Sequence, residues 1–469
     1  MRFCPRRIAV LAATLLSQPA RAETVAPTAT PTPNLAPSVS APSVSAASVS
    51  VPSVSVPSGA PAGERTRVEL SLGQAVERFG HENLRLAAAR YEINATRADI
   101  IAAGLLPNPR LALAGGWHIH GESDSADQQY SILLAQSLPI WGRLGASKDA
   151  ARLTASATER GFAAEGWQLL GDVRRAYLAL QLAAGHHGVL KAGLSDLERV
   201  QHVLEARTAA GANPAYDRVR LEVERGSLRA RLAQAEVEVS DAGAQLAAAI
   251  GGTPSPGELV AVDTLVEPID DNRNAAELVR WAFEHRQEIA AMHLETGAAD
   301  ARLRAARKRF VPEPELGIGY AHWRGIPGAP AGSSGGGLLA SASIPLPLFD
   351  RGQGTIERHV EQARATRVHE QDLKNTVERE VEHAARTLRL TTVAYRAFRE
   401  EGSHNAENVR RIAEVTYREG RGTILELLDA YSSYLRVEEQ ALELRGAALF
   451  AAVELEQAVG PLATAVRKQ

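Results

Sequence analysis

A single cysteine, Cys4, stands in 469 residues, aromatics make up only 5% of the chain, and neither sign of charge dominates, the formal net charge being -3. Cys4 falls inside the segment read below as a removed leader, so the mature chain carries no thiol. That excludes disulfides, thiolate zinc sites and cysteine nucleophiles together, and suits an oxidising compartment. The charge balance gives no electrostatic case for nucleic acid. No run of about 18 to 20 uninterrupted apolar residues occurs, which excludes a membrane-spanning helix. Phosphate loops, nucleotide fingerprints and nucleophile elbows are missing as well, so neither an enzyme nor a cofactor is implied.

What is present begins with Arg2, Arg6 and Arg7, an apolar run over residues 8–16, and Ala20-Arg21-Ala22. This is the pattern of a secretory signal peptide, residues 1–22. Cys4 precedes the apolar run, away from the place an acylated residue would take, so no lipid anchor is read here. Residues 23–65 are a low-complexity leader of Pro, Ser, Ala and Val in which recurrent prolines remove backbone donors and interrupt strand pairing.

The remainder repeats itself, which sets the architecture. Leu105-Leu106-Pro107-Asn108-Pro109-Arg110-Leu111 is echoed about 205 residues later by Phe310-Val311-Pro312-Glu313-Pro314-Glu315-Leu316. Ser137-Leu138-Pro139 is echoed by Ser343-Ile344-Pro345, and Gly211 with Tyr216-Asp217 by Gly420 with Leu425-Glu426. The units span residues 66–262 and 263–460, with a tail at 461–469. Each opens with one helix, residues 71–106 (Ser71 and Gln74 forming a capping box) and 275–311, ended by a Pro-x-Pro.

The period then changes to two. In the first unit Leu111 and Leu113 alternate with Ala112 and Ala114, then Ile132 and Leu134 with Ser131 and Ala135. In the second Leu316, Ile318 and Tyr320 alternate with Gly317, Gly319 and Ala321, and Leu338 and Ala340 with Leu339 and Ser341. These predict β-hairpins at 111–138 and 315–346 with one apolar and one small or polar face, as in membrane β-strands. Trp117, Tyr130, Tyr320 and Trp323 are the expected interfacial girdle, and residues 121–128 and 325–336 the outward loops. Long proline-free stretches follow, 142–212 and 352–420. About 68 helical residues make a rod of roughly 100 Å. A further helix follows each turn, 214–250 and 424–459, and with the opening helix it is expected to line the long one end to end.

Four strands cannot close a barrel, and an open sheet edge cannot face lipid. Other copies are therefore expected to complete one, since bacterial barrels run from about 8 strands upward. The alternative, a soluble periplasmic coiled-coil adaptor, would account for the helices but not for the repeated alternating strands.

The order of helix, hairpin, long helix, turn and helix, twice over, with the Leu-Pro-Asn-Pro and Ser-Leu-Pro-Ile-Trp-Gly-Arg signatures, resembles the TolC-like outer-membrane efflux family over residues 70–460. Within it the signatures are most similar to the heavy-metal resistance branch (CzcC-like and CusC-like). The resemblance implies a mainly α fold with a small β part: a homotrimer with a 12-stranded membrane β-barrel continued by a long coiled-coil α-barrel in the periplasm. It also implies an exit channel of a tripartite RND-type system, working with a periplasmic adaptor (membrane fusion protein), an inner-membrane RND pump and outer-membrane lipid. The cargo it implies is heavy-metal cations, with drugs or type I protein secretion as the alternative.

The functional end of such a tunnel is its tip, at the helix turns marked by Gly211, Asn213 and Pro214 and by Gly420 and Gly422. The family's aperture carboxylates match Glu426 and Asp429, three residues apart on one helix face. Thr423-x-x-Glu426 is also a capping box, so a structural role for Glu426 stands beside the lining one. Tyr417 and Asp217 match the family's latch. Arg421 is one residue displaced from the usual arginine, whose place Gly422 takes. Among histidines, His118 and His120 are expected on the lumen side of the first strand and His322 in the matching region of the third, as scattered pore or loop residues in preference to a metal site. His186 and His187 point different ways on a helix and are expected in solvent. His81-Glu82 and His369-Glu370 lack the second histidine of a zinc-protease helix.

Overall fold

Ser71 starts the first helix as expected, its hydroxyl accepting from Gln74 N while the Gln74 side chain accepts from Ser71 N. The helix does not run through to residue 106. It is broken into α1, Leu72–Glu82, and α2, Leu84–Gly104, by an extended residue, Asn83. The second unit repeats the break, with α5, Ala275–His285, and α6, Gln287–Arg309, hinged at an extended Arg286. The computed structural model describes residues 67–117, 128–209, 215–251, 258–269, 273–324, 330 and 333–461, all within one compact unit. The signal peptide, the leader, most of the tail and most of the outward loops fall outside them.

The physical reason for both breaks is a helix joint. Asn83 accepts from Leu86 N as the N-cap of α2 and donates to Ile250 O at 3.0 Å, the last residue of α4, Ala215–Ile250. Arg286 donates to Ala458 O at 3.0 Å, at the end of α9, Ile424–Val459. Each short helix thus satisfies orphan carbonyls where another one ends. The opening helices α1 and α5 pack beside these joints, Phe79 of α1 sharing a core with Val173 and Tyr177, and α2 and α4, of 21 and 36 residues, are together shorter than the 67-residue α3, Arg143–Ala209.

Arg286 also pairs with Glu288 and with Glu380, the latter at 2.8 Å. Burial raises the Glu288 carboxyl above its usual range, opposed chiefly by Arg286. Replacing Arg286 with Ala strands a half-buried carboxylate and two acceptors. We expect a loss of about 3 kcal/mol in urea unfolding of the detergent-solubilised protein; an unchanged midpoint would exclude this joint as a source of stability.

The second long helix is also interrupted: α7, Gln353–Phe398, passes through a π-helical turn, Arg399–Ser403, into α8, His404–Arg418. A sheet not foreseen joins β1, Arg67–Leu70, in parallel to β4, Glu258–Ala261. Leu70 and Leu259 from this pair enter a core with Phe79, Val173, Tyr177 and Leu246. A matching core in the second unit gathers Leu278, Val377, Val381 and Leu455.

The four expected strands are all present: β2, Arg110–Trp117; β3, Gln128–Ser137; β5, Glu315–Arg324; and β6, Ser334–Ser343. They form one antiparallel sheet in the order β2-β3-β5-β6. The register lines up Leu113, Ile132, Tyr320 and Leu338 across it, and next to them Leu111, Leu134, Ile318 and Ala340. Directly opposed residues share a face, so these rows make a continuous apolar surface, and it is exposed, Leu338 to 87%. The other face carries Ala114, Ser131, Ala321 and Gly337. Tyr130 and Tyr320 lie on the apolar face as expected. Trp323, opposite Gln129 and Gly335, lies on the small-residue face instead, because its position has the parity of Ala321. The outer edges of β2 and β6 have no partner among the described residues.

Candidate functional site at the helical tip

The end of the molecule away from the sheet is a bundle of α3, α4, α8 and α9 around Leu197, Leu204, Leu221, Tyr417, Leu427 and Tyr431. Gly211, Asn213 and Pro214 lie outside the described residues. The second turn is fully described. Gly420 adopts φ +77°, and the amides of Arg421 and Gly422 both donate to Thr416 O, at 3.0 and 3.1 Å. This glycine C-cap needs a residue free to take the left-handed conformation. A side chain at 422 would start 3.2 Å from Thr416 Cγ2 and 3.3 Å from Glu426 Oε2, so a larger residue there would need both neighbours to shift by a few tenths of an ångström.

Thr423 then caps α9: its hydroxyl accepts from Glu426 N at 3.3 Å and its amide donates to Glu426 Oε2 at 3.0 Å. Glu426 is therefore a capping residue in fact, and it remains exposed. Asp429, one turn on, is exposed as well, while Ile424, Leu427, Leu428 and Tyr431 are buried behind. The two carboxylates share the open side of the helix.

Tyr417 and Asp217 meet. The Tyr417 hydroxyl donates to Asp217 Oδ2 at 2.9 Å, joining α8 to the first turn of α4. Tyr417 is 1% exposed, and burial, reinforced by Asp217, pushes its phenol up to about 12. Arg421 takes no part; it pairs with Glu419 and is 75% exposed. The cation beside this pair is Arg207, from the last turn of α3, whose guanidinium lies 4.7 Å from the Tyr417 ring centroid. Sequence matching missed Arg207 because the expected arginine belongs to the other hairpin; its one local sign is a basic residue in a final helical turn.

Further from the turn, Arg410 of α8 holds Glu407 through two bonds of 2.9 and 2.7 Å and reaches Asp196 of α3 at 3.8 Å. It also lies over the rings of Tyr431 and Tyr434 at 5.4 and 5.1 Å. Burial raises the Asp196 carboxyl against the pull of Arg199 and Arg410. The bond from Arg410 holds the Glu407 carboxyl below its usual range. The group borders a cleft of about 580 Å³ and gives α8 a second attachment to α3.

The histidines are placed otherwise than expected. His186 is not left in solvent: its Nδ1 lies 3.0 Å from Glu238 and its Nε2 3.3 Å from Glu439, so it bridges α3, α4 and α9. Those contacts use opposite edges of one ring, a geometry of bridging. His187 approaches Glu236 at 3.8 Å. His322 falls on the apolar sheet face, stacked on Tyr130 with centroids 4.9 Å apart; His118 and His120 lie outside the described residues. His81, Glu82 and His369 are exposed, while Glu370 accepts from Thr296 and Lys374, each at 2.8 Å. Among the described residues no group of three or more His, Cys, Asp or Glu could hold a metal ion, and no helix is long and apolar enough to cross a membrane.

Relatives and solved structures resemble this arrangement along most of its length. The cobalt-zinc-cadmium resistance protein CzcC of Cupriavidus metallidurans is 23% identical over 396 residues, covering 83% of this chain and 90% of that one. The pyoverdine export outer membrane protein OpmQ of Pseudomonas putida is 24% identical over 412 residues, covering 83% and 85%. A crystal structure of CusC shares the fold with a TM-score of 0.67 at 19% identity, over 83% of this chain and 92% of that one. The model of the outer membrane efflux protein family matches residues 77–252 and 278–461, one match for each repeat. The chain belongs to the outer membrane efflux protein family, a family of outer-membrane channels with a periplasmic helical tunnel.

Proposed function

We propose that three copies of the chain assemble into the exit channel of a tripartite efflux system, receiving heavy-metal cations from an inner-membrane RND pump through a periplasmic adaptor. The observation that carries the assembly is the four-stranded sheet with two unpaired edges and an exposed apolar face. Backbone edges cannot stay open in lipid, and three such sheets joined edge to edge remove every one. The small-residue face then lines water, continuous with the helical tunnel. A soluble adaptor would have no use for that sheet.

Family membership supports the channel, and the cargo rests on the relatives. CzcC is named for cobalt, zinc and cadmium resistance, and OpmQ, at similar identity, for pyoverdine export. We favour metal because the sequence signatures at 105–111 and 137–143 resemble the metal branch. The exposed Glu426 and Asp429 would form two acidic rings at the mouth of a trimer, an arrangement that concentrates cations. Tyr417, Asp217 and Arg207 would hold that mouth closed.

The expected result is that the detergent-extracted protein has the mass of three chains. Supplied with a heavy-metal pump and adaptor in a host lacking its own channel, it restores growth on zinc, cobalt or cadmium. A monomer that stays in buffer without detergent would overturn the assembly. Rescue of siderophore export without rescue of metal tolerance would overturn the cargo.

A further inference from the structure

The strand ends nearest the helices lie side by side, since Arg110 pairs near the end of β3 with Ala135, Ser137 with Glu315, and Glu315 with Ser343. The four connectors, residues 105–109, 138–142, 310–314 and 344–352, therefore gather at one level. They expose large apolar side chains: Leu105 and Leu106, Ile140, and Leu346, Leu348 and Phe349, the last to 92%. Trp141 is half exposed, with its indole N–H donating to Pro312 O at 2.8 Å, so its polar edge is satisfied while its ring faces outward.

The charge at this level is unbalanced. Glu315 is taken by Arg110 at 3.1 Å and Glu313 by Arg143 at 2.8 Å. Asp350 accepts from Gly352 N at 2.8 Å, and its charge offsets one of the four further cations at this level. Arg307 and Arg309, in the last turn of α6, and Arg351 are exposed and meet no carboxylate among the described residues. Among the described residues Lys308 reaches only Gly142 O, at 3.4 Å.

Unpaired arginines interleaved with exposed Leu, Ile, Trp and Phe, directly below an apolar sheet face, match one neighbour: the headgroup layer of an anionic phospholipid leaflet. The apolar side chains enter the acyl boundary and the guanidinium groups meet phosphate. We propose that the four connectors form a collar that inserts into the periplasmic leaflet of the outer membrane and gathers anionic phospholipid around the base of the barrel. The collar rests on the reading that the sheet's apolar face meets lipid, and it fixes the depth at which the tunnel begins. A second copy of the chain could cover apolar connectors, but it would carry the same excess of arginine, and like charges would meet.

The test uses the exported chain, from which Cys4, the one cysteine of the sequence, is lost with the leader read as removed, so that an introduced cysteine is the only thiol. A polarity-sensitive dye is attached at Phe349→Cys or, as the reference, at Leu113→Cys on the sheet face. The trimers are placed in nanodiscs of phosphatidylcholine with or without phosphatidylglycerol. The 349 dye is expected to be quenched by lipids carrying a shallow nitroxide and protected from aqueous iodide, and the 113 dye to be quenched by a deep nitroxide. Arg307→Gln with Arg351→Gln is expected to lower the enrichment of phosphatidylglycerol by about fivefold for each arginine removed. Quenching of the 349 dye by iodide would overturn the collar, as would its protection from both quenchers, which marks a neighbouring copy. Unchanged phosphatidylglycerol enrichment would overturn its lipid preference. Failure of the 113 dye to meet any lipid quencher would instead remove the membrane reading on which the collar stands.

Discussion

Tyr417→Phe combined with Asp217→Ala is expected to give a channel that conducts strongly in planar bilayers where the native protein stays nearly shut. The Tyr417–Asp217 contact is a hydrogen bond to a charged acceptor, and such bonds contribute about 1.5 to 3 kcal/mol. Its loss shifts a two-state mouth by roughly 10- to 150-fold in each protomer. Phenylalanine keeps the buried ring and its contact with Arg207, so folding is spared. Arg207→Ala is expected to open the mouth less, and Arg421→Ala not at all, since among the described residues the Arg421 side chain pairs with Glu419 alone. The pH dependence has a definite sign. The phenol is raised from 10.0 to about 12 by burial and by Asp217, so the bonded, neutral form is fully present below pH 10 and is lost as pH rises towards 12. Conductance should climb across that window in the native protein and stay flat in Tyr417→Phe. Conductance of the double variant equal to native would dismiss these residues as a latch.

Glu426→Gln with Asp429→Asn should lower the preference for cations without loosening the fold. Gln can still complete the capping box with Thr423, so the substitution separates charge from capping, which Glu426→Ala would confound by about 1 kcal/mol of lost cap. In water two unit charges 4 Å apart interact by about 1 kcal/mol, which corresponds to about fivefold in local cation occupancy for each ring. The permeability ratio of potassium over chloride should fall by at least that factor at low salt and converge with the native value near 1 M, where screening reaches about 3 Å. A ratio that does not respond would leave Glu426 a helix cap and Asp429 a surface residue.

The parts of this molecule that could be read in advance are those in which one residue type recurs at a fixed interval. The alternation of Leu111, Leu113, Ile132 and Leu134 with small residues repeats in the second unit, and every expected strand formed. Tyr417 and Asp217, separated by 200 residues, follow no interval and were pointed to by the family resemblance alone; the structure shows their hydrogen bond. The joints were not legible, because a break at Asn83 or Arg286 depends on a carbonyl that a distant helix end supplies. Nothing near Arg286 marks it as a stop, since arginine is a good helix former. The short strands β1 and β4, of 4 residues each, carry too few alternations to register. Arg207 was hidden for the opposite reason: a matched pattern drew attention to Arg421, and only three-dimensional proximity identifies the cation that replaces it.

The π-helical turn at Arg399–Ser403 winds one extra residue into what would otherwise be a single helix, and each residue advances an α-helix by about 100°. Everything beyond it is rotated out of phase with everything before it. α7 therefore aims Val377 and Val381 at one core, and α8 independently aims Tyr417 at another. Restoring regular α-helix there by deleting one residue would turn the mouth's side chains by about 100° while the staves above it keep their joinery.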